Sequence, residues 1–140
     1  MAFGLLLANP QHSVGNAILL IDTNLGFLFW LGSLLDRAGY NAFPARSVPD
    51  AAELLRELHL KISLLILNCA LPGADGFIES TRSTQKRLKV ICLVEEEDRQ
   101  AQPAPGVDAV CAKPVEINAR TEEQLLKLVH EVLLNRSMTA

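Results

Sequence analysis

The sequence offers little that would carry it to a membrane, a nucleic acid or a metal. Met1–Ala8 is apolar, but the run is too short to span a bilayer and lacks the basic start of a secretion signal. The 13 Lys and Arg residues are outnumbered by 16 Asp and Glu and form no stripe, which argues against direct nucleic-acid contact. The cysteines, Cys69, Cys92 and Cys111, are odd in number and have no zinc spacing; two lie inside apolar runs, which reads as reduced, buried thiols in a cytosolic protein. His12, His59 and His130 are scattered, share no metal-ligand spacing and read as solvated surface residues. No glycine-rich phosphate loop follows the first apolar run, where Thr23-Asn24-Leu25-Gly26 stands.

Apolar residues make up 49% of the 140, which excludes global disorder and supplies one core, about two-thirds of the unfolded surface being buried at this size. Residues 1 to about 15 read as a flexible or loosely docked arm, 16–134 as one domain and 135–140 as a tail. Within the domain, apolar runs alternate with helical patterns. Ala17–Ile21 reads as a central strand ended by Asp22-Thr23-Asn24. Leu25–Arg37 reads as a helix, with Leu28, Leu31, Leu35 and Ala38 at spacings of three and four and Gly39 as its stop. Asn41–Ala45 is a second strand, which Pro44 assigns to a sheet edge. Ser47 fits an N-cap, with Pro49 in the first turn and Leu54, Leu55 and Leu58 on the buried side. Ile62–Leu67 is a third strand, followed by the turn Leu71-Pro72-Gly73 and a helix from about Phe77 to Lys86. Val90–Val94 and Asp108–Ala112 are further strands. The segment between them contains Pro103 and Pro105 and cannot be one regular helix. Thr121 reads as the cap of a last helix with Leu125, Val129, Val132, Leu133 and the stem of Arg136 in its stripe. Five alternations of strand and helix indicate a parallel sheet covered on both faces.

In such a sheet, ligands bind outside the carboxyl ends of the strands. The polar residues there are Asp22 and Thr23, Asn68, Glu95 and Lys113. With Ile21-Asp22, Ala38-Gly39-Tyr40, the stretch Asn68-Cys69-Ala70-Leu71-Pro72-Gly73-Ala74-Asp75-Gly76 and Lys113-Pro114, the chain resembles the receiver domain of bacterial two-component response regulators over roughly 16–134. The resemblance implies a three-layer, doubly wound, flavodoxin-like fold with strand order 2-1-3-4-5. By comparison of intervals, the helix between strands four and five is about three residues short, close to one turn, and so truncated or irregular. It also implies a cis Lys113–Pro114 bond. That family transfers a phosphoryl group to an aspartate at the end of strand three, beside an acid pair that holds Mg²⁺.

Carried over residue by residue, the phosphoacceptor position is Asn68, whose carboxamide is no nucleophile for phosphoryl transfer. The acid pair is Asp22-Thr23, one carboxylate short for a hard cation, so no cofactor is expected and Mg²⁺ binding is weak or absent. The switch hydroxyl position is Val94, the small residue after it is Glu95, and the switch aromatic falls at Val110; Asp22 and Lys113 alone are as the family has them. The reading is a pseudo-receiver, stand-alone or excised, cytoplasmic and not an enzyme, that binds a protein partner in a signalling pathway. Lys113 then either forms a structural ion pair with Asp22 or Glu95, or through that pair holds a fixed conformation that partners recognise. Phe29, at a position the family exposes, either packs under the arm or marks a contact surface. With the helix before strand five altered, the usual dimer face is in doubt, and a homodimer stays open. The alternatives are a pocket at Asp22, Asn68 and Lys113 for a small anion or nucleotide, a redox sensor in which Lys113 stabilises a Cys69 thiolate, and a live regulator with an unusual acceptor.

Overall fold

The computed structural model describes residues 17–98 and 106–135. Their strands are β1 (Ala17–Ile21), β2 (Asn41–Ala45), β3 (Leu64–Asn68), β4 (Lys89–Val94) and β5 (Ala109–Ala112). The helices are α1 (Leu25–Arg37), α2 (Val48–Leu58), α3 (Ala74–Thr84) and α4 (Ala119–Leu134). All pairings are parallel and the sheet order is β2-β1-β3-β4-β5, the order expected. Pro44 lies on the edge strand β2, where its missing N–H interrupts no ladder.

Side-chain alternation splits the core into two layers. Ile18, Leu20, Leu64, Ile66, Ile91 and Leu93 face α1 and α4, meeting Leu28, Leu31, Leu35, Leu125 and Val129. Leu19, Ile21, Leu65, Leu67 and Val90 face α2 and α3, meeting Ala51, Phe77 and Ile78. Because β1 and β3 are covered on both sides, their sequences are continuous apolar runs rather than alternating ones.

The ends of the elements follow from local chemistry. Asn24 caps α1 by accepting from the Phe27 N–H at 3.0 Å, and Gly39 at φ 99° ends it, as expected of a glycine past a helix end. Ser47 Oγ accepts from the Asp50 N–H, so the expected cap of α2 is present. Leu54 and Leu55 of α2 pack on the core, but Leu58, expected on the buried side, is 51% exposed in the last turn. Helix α3 begins at Ala74 rather than near Phe77, because left-handed Gly73 (φ 81°) closes the Leu-Pro-Gly turn and its carbonyl at once accepts from the Phe77 N–H. It stops at Thr84, where the Gln85 side chain leaves to bond the Ile62 N–H and the Leu60 carbonyl. In α4 the cap is Asn118, not Thr121: the two form a reciprocal capping box with Thr121 as its third residue. Between β4 and β5 a single 3₁₀ turn, Glu96–Asp98, is described. The remainder of the expected irregular segment, the N-terminal arm and Arg136 lie outside the described residues.

His59 holds φ 50° at the end of α2, a left-handed conformation that costs a side-chain-bearing residue about 1–2 kcal/mol. His59→Gly is therefore expected to raise stability by about 1 kcal/mol, read as a higher denaturation midpoint at unchanged m-value. No helix among the described residues is long and apolar enough to cross a membrane.

Candidate functional site at the carboxyl ends of the strands

Strands β1, β3, β4 and β5 end side by side, and the residues just past them form a small polar cluster. Asp22 follows β1 and is 1% exposed. Its Oδ2 lies 2.8 Å from Lys113 Nζ, and its Oδ1 accepts from the Asn24 N–H at 3.2 Å. Lys113 follows β5 and is held there by its own N–H, which donates to the Val94 carbonyl at 2.8 Å. The ammonium also lies 3.4 Å from exposed Glu95 Oε2 and 5.0 Å from the centroid of the Phe27 ring. Burial pulls the Lys113 pKa down, but the hydrogen bond and charge of Asp22, joined by Glu95, outweigh it and leave the group above the ordinary lysine value. The lysine is thus held as a cation between two carboxylates and an aromatic face.

The other expected site residues are differently engaged. Asn68 ends β3, and its Oδ1 turns back to accept from the Ala70 N–H at 2.9 Å, an Asx turn that shapes the β3–α3 loop. Thr23 is exposed. Val94 is half-buried at the end of β4, and Val110 sits on edge strand β5 in register with Cys92. Phe29 is 85% exposed on α1, one turn beyond Leu25 at 55%. The Lys113–Pro114 bond is trans, not cis, so the turn after β5 is made without that device.

The expectation of reduced thiols fails at two of the three cysteines. Cys69 and Cys92 form a disulfide, with Cα atoms 5.6 Å apart. Cys69 therefore engages the neighbouring strand, while Lys113 engages Asp22 and Glu95. Cys111 alone of the three is a thiol, its pKa pushed up to about 11 by burial.

Three arrangements were hidden by sequence separation. Trp30 Nε1 donates to Glu122 Oε2 at 3.1 Å and so joins α1 to α4. The Arg82 guanidinium donates to the Leu88 and Gly106 carbonyls and pairs with Asp108 at 2.9 Å, while Asp108 accepts from the Val90 N–H, pinning β4 to β5. At the amino-terminal pole of the sheet, Lys61, Lys86, Arg87, Lys89 and His130 line one cleft of about 630 Å³, although separate segments supply them. Among the described residues, no three His, Cys, Asp or Glu side chains come together as a metal site.

The architecture can be set beside known structures. A CheY-like response regulator receiver domain protein from Methanospirillum hungatei superimposes with a TM-score of 0.70 at 19% identity, over 90% of this chain and 99% of that one. The chemotaxis response regulator CheY4 of Vibrio cholerae gives 0.66 at 21% identity, over 85% and 99%. The chain has the receiver-domain fold. A third structure, the response regulator protein TrrA from Thermotoga maritima in complex with Mg²⁺ and BeF, gives 0.61 at 22% identity, over 81% and 98%. No protein-family model and no curated protein matches the sequence. In a receiver-domain fold the cluster of Asp22, Asn68 and Lys113 lies at the strand ends, where open parallel sheets take their ligands.

Proposed function

We propose that this chain is a pseudo-receiver: a signalling module in a two-component or phosphorelay-type pathway that acts by binding a protein partner, without phosphorylation of an aspartate. The observation that carries this reading is Asn68 at the end of β3. A carboxamide has delocalised lone pairs and no negative charge, so it is not a nucleophile towards phosphorus. Its oxygen is also committed to the Ala70 N–H.

The rest of the cluster agrees. TrrA is described with Mg²⁺ and BeF, but the residues here do not fit Mg²⁺. Asp22 supplies the one buried carboxylate; Lys113 takes its Oδ2 and the Asn24 N–H its Oδ1. Thr23 offers no anion, whereas Mg²⁺ favours octahedral sets of hard oxygens. Val94 has no hydroxyl to report a phosphoryl group, and Glu95 would repel one. What remains is an ion pair that ties the end of β1 to the end of β5 in one arrangement. Such a domain signals by its shape. Leu25 and Phe29, exposed one turn apart on α1, provide an apolar patch for a partner. The chain is assigned to the cytoplasm on the same reading.

Light scattering and intact mass, with and without acetyl phosphate and Mg²⁺, test the proposal. The expected result is one unchanged mass and one unchanged assembly state. A covalent phosphoryl adduct on the native chain would overturn it.

A further inference from the structure

We infer that Cys69 and Cys92 are a reversible dithiol–disulfide modification site that sets the order of the β3–α3 loop. This goes beyond the pseudo-receiver reading and does not depend on it. The two residues come from neighbouring strands: Cys92 lies within β4, opposite Leu67 of β3, and Cys69 is the first residue beyond β3. Their Cα separation of 5.6 Å falls in the range a disulfide spans. The pair is chemically unequal. Cys69 is partly exposed in the loop, whereas Cys92 is 6% exposed beneath it. An incoming reagent therefore meets Cys69 first, and Cys92 is placed to resolve.

The oxidant class is a low-molecular-weight disulfide, RSSR. The Cys69 thiolate attacks one sulfur of RSSR, forming Cys69–S–SR and expelling RS⁻. The Cys92 thiolate then attacks the Cys69 sulfur, forming the intramolecular disulfide and expelling the second RS⁻. The two cysteine protons end on the two RSH products, and the pair has lost two electrons to the reagent. Excess RSH reverses both steps.

The structural consequence is local. Cys69 sits inside the Asx turn that runs from Asn68 Oδ1 to the Ala70 N–H, so a bond at Cys69 clamps that turn to β4. Opening the bond releases the loop at one face of the polar cluster, and neither cysteine is a partner in the Asp22–Lys113 pair. Cys111, on the α1–α4 side of the sheet, takes no part.

The test equilibrates the full chain across ratios of glutathione to glutathione disulfide, traps thiols with a maleimide, and reads intact mass. The expected result is a single two-electron step in which two labels vanish together while Cys111 keeps its reactivity. Cys92→Ser should stop at a stable glutathione adduct on Cys69, and Cys69→Ser should form none at Cys92. Hydrogen exchange of residues 69–73 should be faster in the reduced chain. The proposal is overturned if the pair stays oxidised through all reducing ratios, stays reduced through all oxidising ones, or opens without changing exchange in the loop. Every one of these readouts is independent of phosphorylation, so failure here leaves the pseudo-receiver reading standing, and a phosphoryl adduct leaves this one standing.

Discussion

Lys113→Met is expected to destabilise the domain by about 3–5 kcal/mol, the cost of leaving a buried charge without its partner. Asp22 is 1% exposed and its Oδ2 faces the lysine at 2.8 Å, so water cannot replace the ammonium. Methionine keeps the apolar stem, which separates loss of charge from loss of packing. The double variant Asp22→Asn, Lys113→Met removes both charges and should recover most of the loss, since replacing a whole buried pair is often close to neutral. Urea titration of the four members of that cycle measures the coupling. A pair worth only the ~0–1 kcal/mol of a surface salt bridge would show that the cluster is solvated and the site open. Folding raises the Lys113 pKa above its ordinary 10.5. Its contribution is therefore fully present below about 10.5 and is lost only as the pH climbs through the higher folded value. Between neutrality and pH 9 the wild-type stability should show no slope from this lysine.

How much of this was legible depends on how local each signal is. The apolar run ending at Asn68 and the residues that follow placed the third strand, its turn and the candidate site, because burial on both faces writes itself as an unbroken run. Pro44 placed β2 at an edge because a missing N–H is a property of one residue. Asp22 and Lys113 were legible as a pair only through the resemblance, since 91 positions of chain separate strand ends that the sheet order alone brings together. The Cys69–Cys92 bond was missed because it depends on the register between β3 and β4, and register is not visible in either run alone. The cap of α4 was misplaced by three residues because Asn118 and Thr121 are both capping residues and their reciprocal bonds make each plausible from sequence. The Arg82–Asp108 clamp had no signal, being a contact across 26 residues between ordinary surface residue types.

Restoring the missing groups should restore the chemistry in a graded and non-additive way. Asn68→Asp alone is expected to give no phosphoryl adduct with acetyl phosphate and Mg²⁺. The new carboxylate would stand beside Asp22, whose oxygens are engaged by Lys113 and the Asn24 N–H, with Thr23 still neutral and Glu95 still repelling the incoming phosphoryl oxygens. Adding Thr23→Asp completes a set of three carboxylates, enough hard anionic oxygen to compete with Lys113 for Mg²⁺. Val94→Thr and Glu95→Ala then supply a hydroxyl and remove a charge at the end of β4. The fourfold variant is expected to acquire an adduct by intact mass that depends on Mg²⁺, while each smaller set remains far below it, because nucleophile, metal and charge compensation act as a unit. Asn68→Asp labelling by itself would show that the other departures are neutral and that one amide silences the site. Absence of labelling in the fourfold variant, with its fold intact, would place the block in the arrangement of the strand ends rather than in the missing groups. The Lys113 ammonium, wedged between Asp22, Glu95 and the Phe27 ring, would then be the residue that keeps the site closed.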